Sequence, residues 1–243
     1  MYCWSVLVGT CSRPFVSELA TASTCDTGQI RLGLIPTDSI GGHTVRALLT
    51  NRLSQSCLDR NQSRPATRAH TDDDRSQSLI AAAALVPVID RPGDSTILLT
   101  QRTQHLHDHA GQISFPGGRV DPEDESPTAT ALRETEEEIG LEPHFVEIVG
   151  YLDLYKTGTG FLVTPVVGLV SVGFSLSPDE FEVADIFEVP LDYILDASNH
   201  RRESRYFDGI ERTFDVIEYE NRYIWGATAG MLIDLYKKLR SDD

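Results

Sequence analysis

The chain has 243 residues, with 21 Lys and Arg against 37 Asp and Glu, a formal net charge of −16. That length suits one hydrophobic core better than two, and the acidic balance argues against a surface built for nucleic acid or an anionic membrane. Cys3, Cys11, Cys25 and Cys57 all fall in the first quarter without C-x-x-C spacing, which supports neither a zinc site nor a disulfide scaffold and fits a reduced, cytoplasmic setting.

Residues 1–35 are rich in Ser, Thr and Cys with no sustained period and read as a disordered leader or extension. Trp4 to Cys11 is a short apolar patch with no basic region before it, and no apolar run approaches the ~20 residues of a membrane span. Residues 36–78 read as a short helix and a polar linker. Asp38 can cap the helix, Val45, Leu48, Leu49 and Leu53 share one face, and Asn61 to Ser78 is polar. Residues 79–240 are expected to form the compact domain. Leu85 to Ile89 and Thr96 to Thr100 read as strands of a hairpin turned at Arg91-Pro92-Gly93-Asp94. Further strands are expected at Gln112 to Phe115, Val146 to Tyr151, Phe161 to Val170 and Phe214 to Tyr219. Helices are expected from Pro127 to Ile139 and from Ala227 to Leu239, the second with Met231, Leu232, Leu235 and Leu239 on one side. This order predicts an α/β fold, a mixed β-sheet sandwiched between α-helices.

The first of those helices carries the chemistry. Ser126-Pro127 is a start signal and Gly140 a stop. At roughly 100° per residue, Thr128, Leu132, Thr135 and Ile139 fall on one side, with Glu134, Glu137 and Glu138 gathered opposite. Clustered carboxylates destabilise an isolated helix, and a bound cation would reverse that cost; a solvated acidic face is the alternative. The turn Phe115-Pro116-Gly117-Gly118, whose glycines allow backbone to approach a ligand, precedes Asp121, Asp124 and Arg133-Glu134.

In this context the sequence resembles the Nudix box. Gly118, Arg133, Glu134, Glu137, Glu138, Gly140 and Leu141 match its pattern; Asp124 stands for the first Glu with one extra residue before Arg133, and Thr135 occupies an apolar position. The longer loop is similar to that of the coenzyme A pyrophosphatase branch, bacterial type. So are Leu98-Leu99-Thr100-Gln101-Arg102, the run His109 to Gly118, Gly160-Phe161 with Val163 to Gly168, and Trp225-Gly226 with Thr228 to Gly230. At His107 the branch usually has Arg. The resemblance spans about Leu79 to Lys238.

The resemblance implies a Nudix fold and a pyrophosphohydrolase in which Glu134 and Glu138 ligate Mg²⁺ or Mn²⁺, with Glu137 a further ligand or a base acting through water. Oxygen-only ligands suit those hard cations. Arg133 would pin a carboxylate by a bidentate pair. Among Glu180, Glu182 and Glu188, Glu182 is the choice for a further carboxylate at the site, a solvated loop being the alternative. Arg102 and Arg119 are candidates for phosphate contact, together with Gly117, Gly118 and His109 as substrate-binding residues. His105, His107 and His109 would share a face in a strand, yet no fourth ligand completes a zinc site. Ser114 lacks a nucleophile elbow and a fitted base, Gly117-Gly118 lacks the Lys of a P-loop, and Trp225 reads as packing rather than as a stacking platform.

The expected reaction is hydrolysis of the diphosphate of coenzyme A or its thioesters to adenosine 3′,5′-bisphosphate and 4′-phosphopantetheine. One rival is a Nudix enzyme acting on a dinucleotide or nucleotide sugar, and another is a noncatalytic nucleotide-sensing module. The expected partner is a small-molecule diphosphate, with no nucleic acid and no membrane, and a homodimer is compatible with the reading.

Overall fold

The computed structural model describes residues 45–53, 68–69, 79–106, 109–207 and 209–240. The leader assigned to residues 1–35, the cap at Asp38, the polar linker apart from a two-residue strand, and His107 lie outside or almost outside them. Residues 45–53 are helical (α1). The strands that follow are β1 (Arg68–Ala69), β2 (Leu79–Ile89), β3 (Thr96–Arg102), β4 (Ile113–Ser114) and β5 (Gly117–Arg119). Helix α2 (Pro127–Ile139) precedes β6 (Val146–Tyr151), β7 (Tyr155–Lys156), β8 (Phe161–Val170) and β9 (Val183–Pro190). After the short α3 (Leu191–Ile194) come β10 (His200–Phe207), β11 (Ile210–Tyr219), β12 (Arg222–Trp225) and α4 (Ala227–Arg240).

A mixed sheet runs β4-β3-β2-β8-β6, with β9 also on β3, β5 also on β2 and β7 on β8. β2 and β8 are parallel from Ile80↔Phe161 to Ile89↔Val170; the other pairs are antiparallel. The expected hairpin forms, but β2 and β3 pair only at Val88↔Ile97 and Ile89↔Thr96. Beyond that point β3 pairs with β9, and β5 lies on β2 at Ala82 to Ala84. This opening splays the carboxyl end of β3 away from β2 and makes room for the glycine turn.

Side-chain alternation along a strand sends neighbours to opposite faces, and both faces here are covered. Leu85 and Ile89 of β2, Leu98 of β3 and Val166 of β8 pack under α2 with Ala131 and Ile139. Val86, Val88, Ile97, Leu99 and Val167 pack on the other face with Val45, Leu49 and Leu53 of α1 and Met231, Leu232, Leu235 and Leu239 of α4. Burying each such Leu or Ile contributes ~1.5–3 kcal/mol. The α/β sandwich expected from the sequence is therefore the observed fold. Among the described residues no helix is long and apolar enough to cross a membrane.

The strands β1, β5, β7, β9, β10 and β12 were not anticipated. β9 lies in what reads as an acidic stretch, and β10 and β12 form with β11 a separate antiparallel sheet. β10 reads His-Arg-Arg-Glu-Ser-Arg-Tyr-Phe and is largely exposed, so it has no apolar face to reveal it.

Candidate active site

Helix α2 sets the register of the site. The Ser126 hydroxyl accepts from the Ala129 N–H (3.1 Å), Pro127 occupies the first turn, and Gly140 closes the helix at φ 70°. Thr135, at a position the sequence pattern reserves for an apolar side chain, is fully buried and donates its hydroxyl to the Ala131 carbonyl (2.6 Å). That bond satisfies the polar atom within the helix itself.

The three glutamates do not share one solvated face; they are graded from inside to outside. Glu138 is buried at 8% exposure, Glu134 is half-buried, and Glu137 is exposed. Glu138 Oε2 accepts from the Gly117 N–H (3.2 Å), and its Oε1 lies 3.8 Å from Arg102 Nη1. Burial pushes the Glu138 carboxyl up to about 7, against the pull of Gly117 and Arg102 and with added repulsion from Glu182 and Glu134. Burial also raises Glu134, opposed by Arg133.

The two glycines make this seat. At Gly117 (φ 152°) a Cβ would overlap the Ala83 carbonyl and the Ala84 backbone, and at Gly118 it would overlap the Glu134 carboxylate. The backbone of β5 thus lies directly against both carboxylates, one reached by an N–H and the other by van der Waals contact.

Arg133 does pin a carboxylate, and that carboxylate is Asp124. Nε and Nη2 each donate at 3.0 Å to the two oxygens of Asp124. Nη1 reaches Glu134 (2.9 Å) and Glu137 (3.1 Å), and Nη2 donates to the Arg119 carbonyl (3.3 Å). Asp124 also accepts from the Asp121 N–H (2.9 Å) and the Thr130 hydroxyl (2.7 Å). The guanidinium holds the Asp124 carboxyl down at about 2, helped by those two bonds. Three of these bonds converge on Asp124 Oδ2 and one on Oδ1, so Asp124 serves to anchor Arg133 and the loop.

Arg102 and Glu182 meet at the splayed end of β3. The β3–β9 register shifts between Gln101 and Arg102, an irregularity that re-aims the side chain after it. Arg102 Nη1 sits 3.8 Å from Glu138 and 4.0 Å from Glu182. Arg102 Nε is buried without a hydrogen-bond partner among the described residues. Glu188, from the same acidic stretch, is tied instead to Arg91 (2.9 Å to Nη2) and to the Thr96 hydroxyl, which lower its carboxyl. It belongs to the scaffold.

The remaining predicted residues lie around this centre. Arg119 is exposed, its Cζ 5.4 Å from the Phe161 ring centroid. His109 occupies a turn at φ 59°, Nδ1 2.7 Å from Gln112 Oε1; His105 also lies in a turn, so His105 and His109 do not share one face of a strand. Ser114 contacts the Thr100 hydroxyl (3.3 Å), and Trp225 packs edge-on to Phe214 at 5.3 Å. Both are structural. Sequence reading missed the anchoring role of Asp124 and the convergence of Arg102 on two carboxylates; an Asp nine residues before an Arg was the available signal for the first, and nothing in the sequence marks the register shift behind the second.

Among the described residues no three His, Cys, Asp or Glu side chains enclose a metal position by themselves. The donors nevertheless suit a hard divalent cation. They are all carboxylate oxygens, two of them one helical turn apart, and burial, more than their mutual repulsion, raises both carboxyls, a cost to the charged form that a bound cation would relieve.

A NUDIX domain profile matches residues 79–208, more than half of the chain. A protein of Yersinia pestis (strain Pestoides F), described as uncharacterized Nudix hydrolase NudL, is 41% identical over 158 residues, covering 65% of this chain and 79% of its own. The C. elegans Ap4A hydrolase binary complex shares 22% identity, with a TM-score of 0.40 over 46% of this chain and 80% of that one. The NUDIX domain of Shewanella oneidensis NrtR complexed with ADP ribose shares 22%, with a TM-score of 0.38 over 51% and 81%. On the profile match and the 41% identity to NudL, joined to a box of glutamates seated on a Gly-Gly turn, the chain belongs to the Nudix hydrolase family and is a pyrophosphohydrolase.

Proposed function

We propose that this enzyme hydrolyses the diphosphate of coenzyme A or its thioesters, giving adenosine 3′,5′-bisphosphate and 4′-phosphopantetheine. The observation that carries hydrolysis of a diphosphate is the buried Glu138 carboxylate, set between the Gly117 N–H and Arg102 with Glu182 on the same guanidinium. The choice of coenzyme A among nucleoside diphosphate derivatives rests on the similarity of residues 98–118 and of the longer loop at Asp121 to Asp124 to the coenzyme A pyrophosphatase branch. The 79% of NudL that this chain covers supports an enzyme of the same build.

Nudix hydrolases use divalent metal ions, and here Mg²⁺ or Mn²⁺ would be held by Glu134 and Glu138, with Glu137 completing the set. Bound there, the cation neutralises the diphosphate and makes water more acidic. The protein's own groups do the rest. Arg102 and Arg119 bind phosphate oxygens, while Gly117, Gly118 and His109 shape the edge against which the diphosphate lies. Arg133, fixed on Asp124, keeps Glu134 and Glu137 in place. Water adds to one phosphorus in line with the departing phosphate, Glu182 takes the proton it loses, and the P–O bridge breaks toward the leaving phosphate. The small-molecule substrate and these roles fit a cytoplasmic enzyme.

Turnover of coenzyme A, NADH and ADP-ribose by the pure protein, side by side with Mg²⁺, tests the substrate. A preference for coenzyme A is expected, with products identified by mass in ¹⁸O-labelled water. A strong preference for NADH or ADP-ribose transfers the same machinery to a dinucleotide or nucleotide sugar, and no turnover of any of them favours a noncatalytic module.

A further inference from the structure

The loop ahead of β9 does more than deliver Glu182. In the turn 179–183 the Glu182 and Val183 N–H groups donate to the Asp179 carbonyl (3.0 and 2.8 Å), and the Phe181 N–H donates to Asp179 Oδ1 (2.9 Å). The turn is strapped to the end of β3 by Thr103, whose N–H donates to the Glu182 carbonyl (2.9 Å) and whose buried hydroxyl donates to the Phe181 carbonyl (2.8 Å). The backbone at Phe181 is therefore fixed. The residue is nonetheless 64% exposed, with the His105 ring beside its own at 4.8 Å and 59°. A phenyl group kept in water by a backbone that cannot turn it inward is a preorganised apolar surface.

Charge decides what can lie on it. Asp179, Glu180 and Glu182 belong to the same turn, so a phosphate is repelled there. Beside the turn stands the positive charge of Arg102, whose Nη1 is 4.0 Å from Glu182 and 3.8 Å from Glu138. A ligand that joins phosphates to a flat uncharged ring is sorted by this arrangement, its phosphates held toward Arg102 and its ring toward Phe181.

We propose that Phe181, flanked by His105, is the stacking platform for the nucleobase of the substrate and hence a specificity-determining residue. The inference rests on the substrate being a nucleoside diphosphate derivative, and it holds for coenzyme A or for another member of that class. Base stacking on an aromatic side chain changes affinity by roughly tenfold or more.

The test compares adenosine 5′-monophosphate with ribose 5-phosphate, which differ by the base alone, in calorimetric titrations of the Mg²⁺-loaded protein. Wild type is expected to bind the nucleotide more tightly. Phe181→Ala is expected to lose roughly tenfold for the nucleotide while ribose 5-phosphate binding stays unchanged, and Phe181→Trp is expected to restore the difference. Because the residue is exposed, the melting temperature of both variants should match wild type, which separates a lost contact from a lost fold. Equal losses for the two ligands, no loss, or no preference in wild type would overturn the platform. A larger loss for 4′-phosphopantetheine than for the nucleotide would also overturn it and give the ring to the other half of the substrate. Failure of wild type to hydrolyse coenzyme A would sink the substrate assignment alone, since the two titrations are read independently of turnover.

Discussion

Arg133 and Asp124 form a two-pronged pair, Nε and Nη2 each 3.0 Å from a separate carboxylate oxygen, and the same guanidinium holds Glu134 at 2.9 Å. One residue of an extended loop thereby fixes a helix arginine, and that arginine fixes a carboxylate of the site. Position is transmitted through charge-assisted bonds with directional geometry, which an ammonium group would not reproduce.

Asp124→Asn keeps the shape and removes the charge. Leaving Arg133 partly buried without its main partner is expected to cost about 2–4 kcal/mol of stability, read by urea unfolding at pH 7. The pH profile adds a signature. The folded-state carboxyl is held at about 2, below its ordinary value, so its contribution is present above pH ~4 and is lost as pH falls toward 2. Wild type and variant should converge in stability along that acid limb, and a constant difference from pH 7 to pH 2 would refute the pair's role.

Glu138 carries the opposite shift. Its folded-state carboxyl is raised to about 7, above an unfolded value of about 4.3, so the metal-free protein gains stability from protonated Glu138 below pH ~4 and loses it as pH rises through 7. A cation must displace that proton, so Mn²⁺ affinity should fall as pH drops below 7, by about tenfold per unit. In Glu138→Gln, turnover should fall by at least about a hundredfold, the pH dependence of Mn²⁺ binding should flatten, and the fold should remain. Calorimetric titration with Mn²⁺ from pH 5.5 to pH 8.5 checks this; a wild-type affinity independent of pH would contradict it.

The adjacent glycines separate scaffold from site. Gly118→Ala places a methyl group on the Glu134 carboxylate, the movable end of a side chain, whereas Gly117→Ala drives one into the Ala83 carbonyl and the Ala84 backbone of β2 at a φ of 152°. Gly118→Ala should weaken metal binding and turnover by about tenfold or more with a small change in melting temperature, and Gly117→Ala should destabilise the fold by several kcal/mol, on the order of other strained backbone substitutions. Thermal unfolding combined with kcat/KM distinguishes them, and reversed outcomes would mean that the glutamates do not depend on this close approach.

Legibility of the fold followed the strength of local signals. Ser126-Pro127 and Gly140 bracket α2 at the expected residues, and β6 and β8 have the expected bounds, β8 because it is a ten-residue run without a charge. β9 escaped because Asp185 and Glu188 interrupt its apolar residues; Arg222 and Arg91 neutralise those charges across the fold, and no local pattern records it. Residue types in the site were legible from spacing, but their depth was not. Rotation about the helix axis groups Glu134, Glu137 and Glu138 together, and only the packing of β5 against α2 decides that Glu138 is buried and Glu137 exposed.

The acidic stretch before α3 gives the last contrast, between Glu182 and Glu188. Glu182 is partly exposed and faces Arg102 at 4.0 Å, beyond hydrogen-bond length, so that guanidinium does not hold its carboxylate in a hydrogen bond. Glu188 is bound by Arg91 and Thr96, which lower its carboxyl, and it helps to hold β3 and β9 together. Glu182→Gln should therefore lower kcat by about 10²–10⁴, the range for loss of a general base, with little change in KM or melting temperature. Glu188→Gln should instead lower the melting temperature and leave kcat of the folded fraction within about twofold, because general-base catalysis does not pass through it. Steady-state kinetics on both variants, each scaled to its folded fraction, decides the assignment. If the kcat loss falls on Glu188 instead, the proton acceptor lies within β9 rather than in the turn ahead of it.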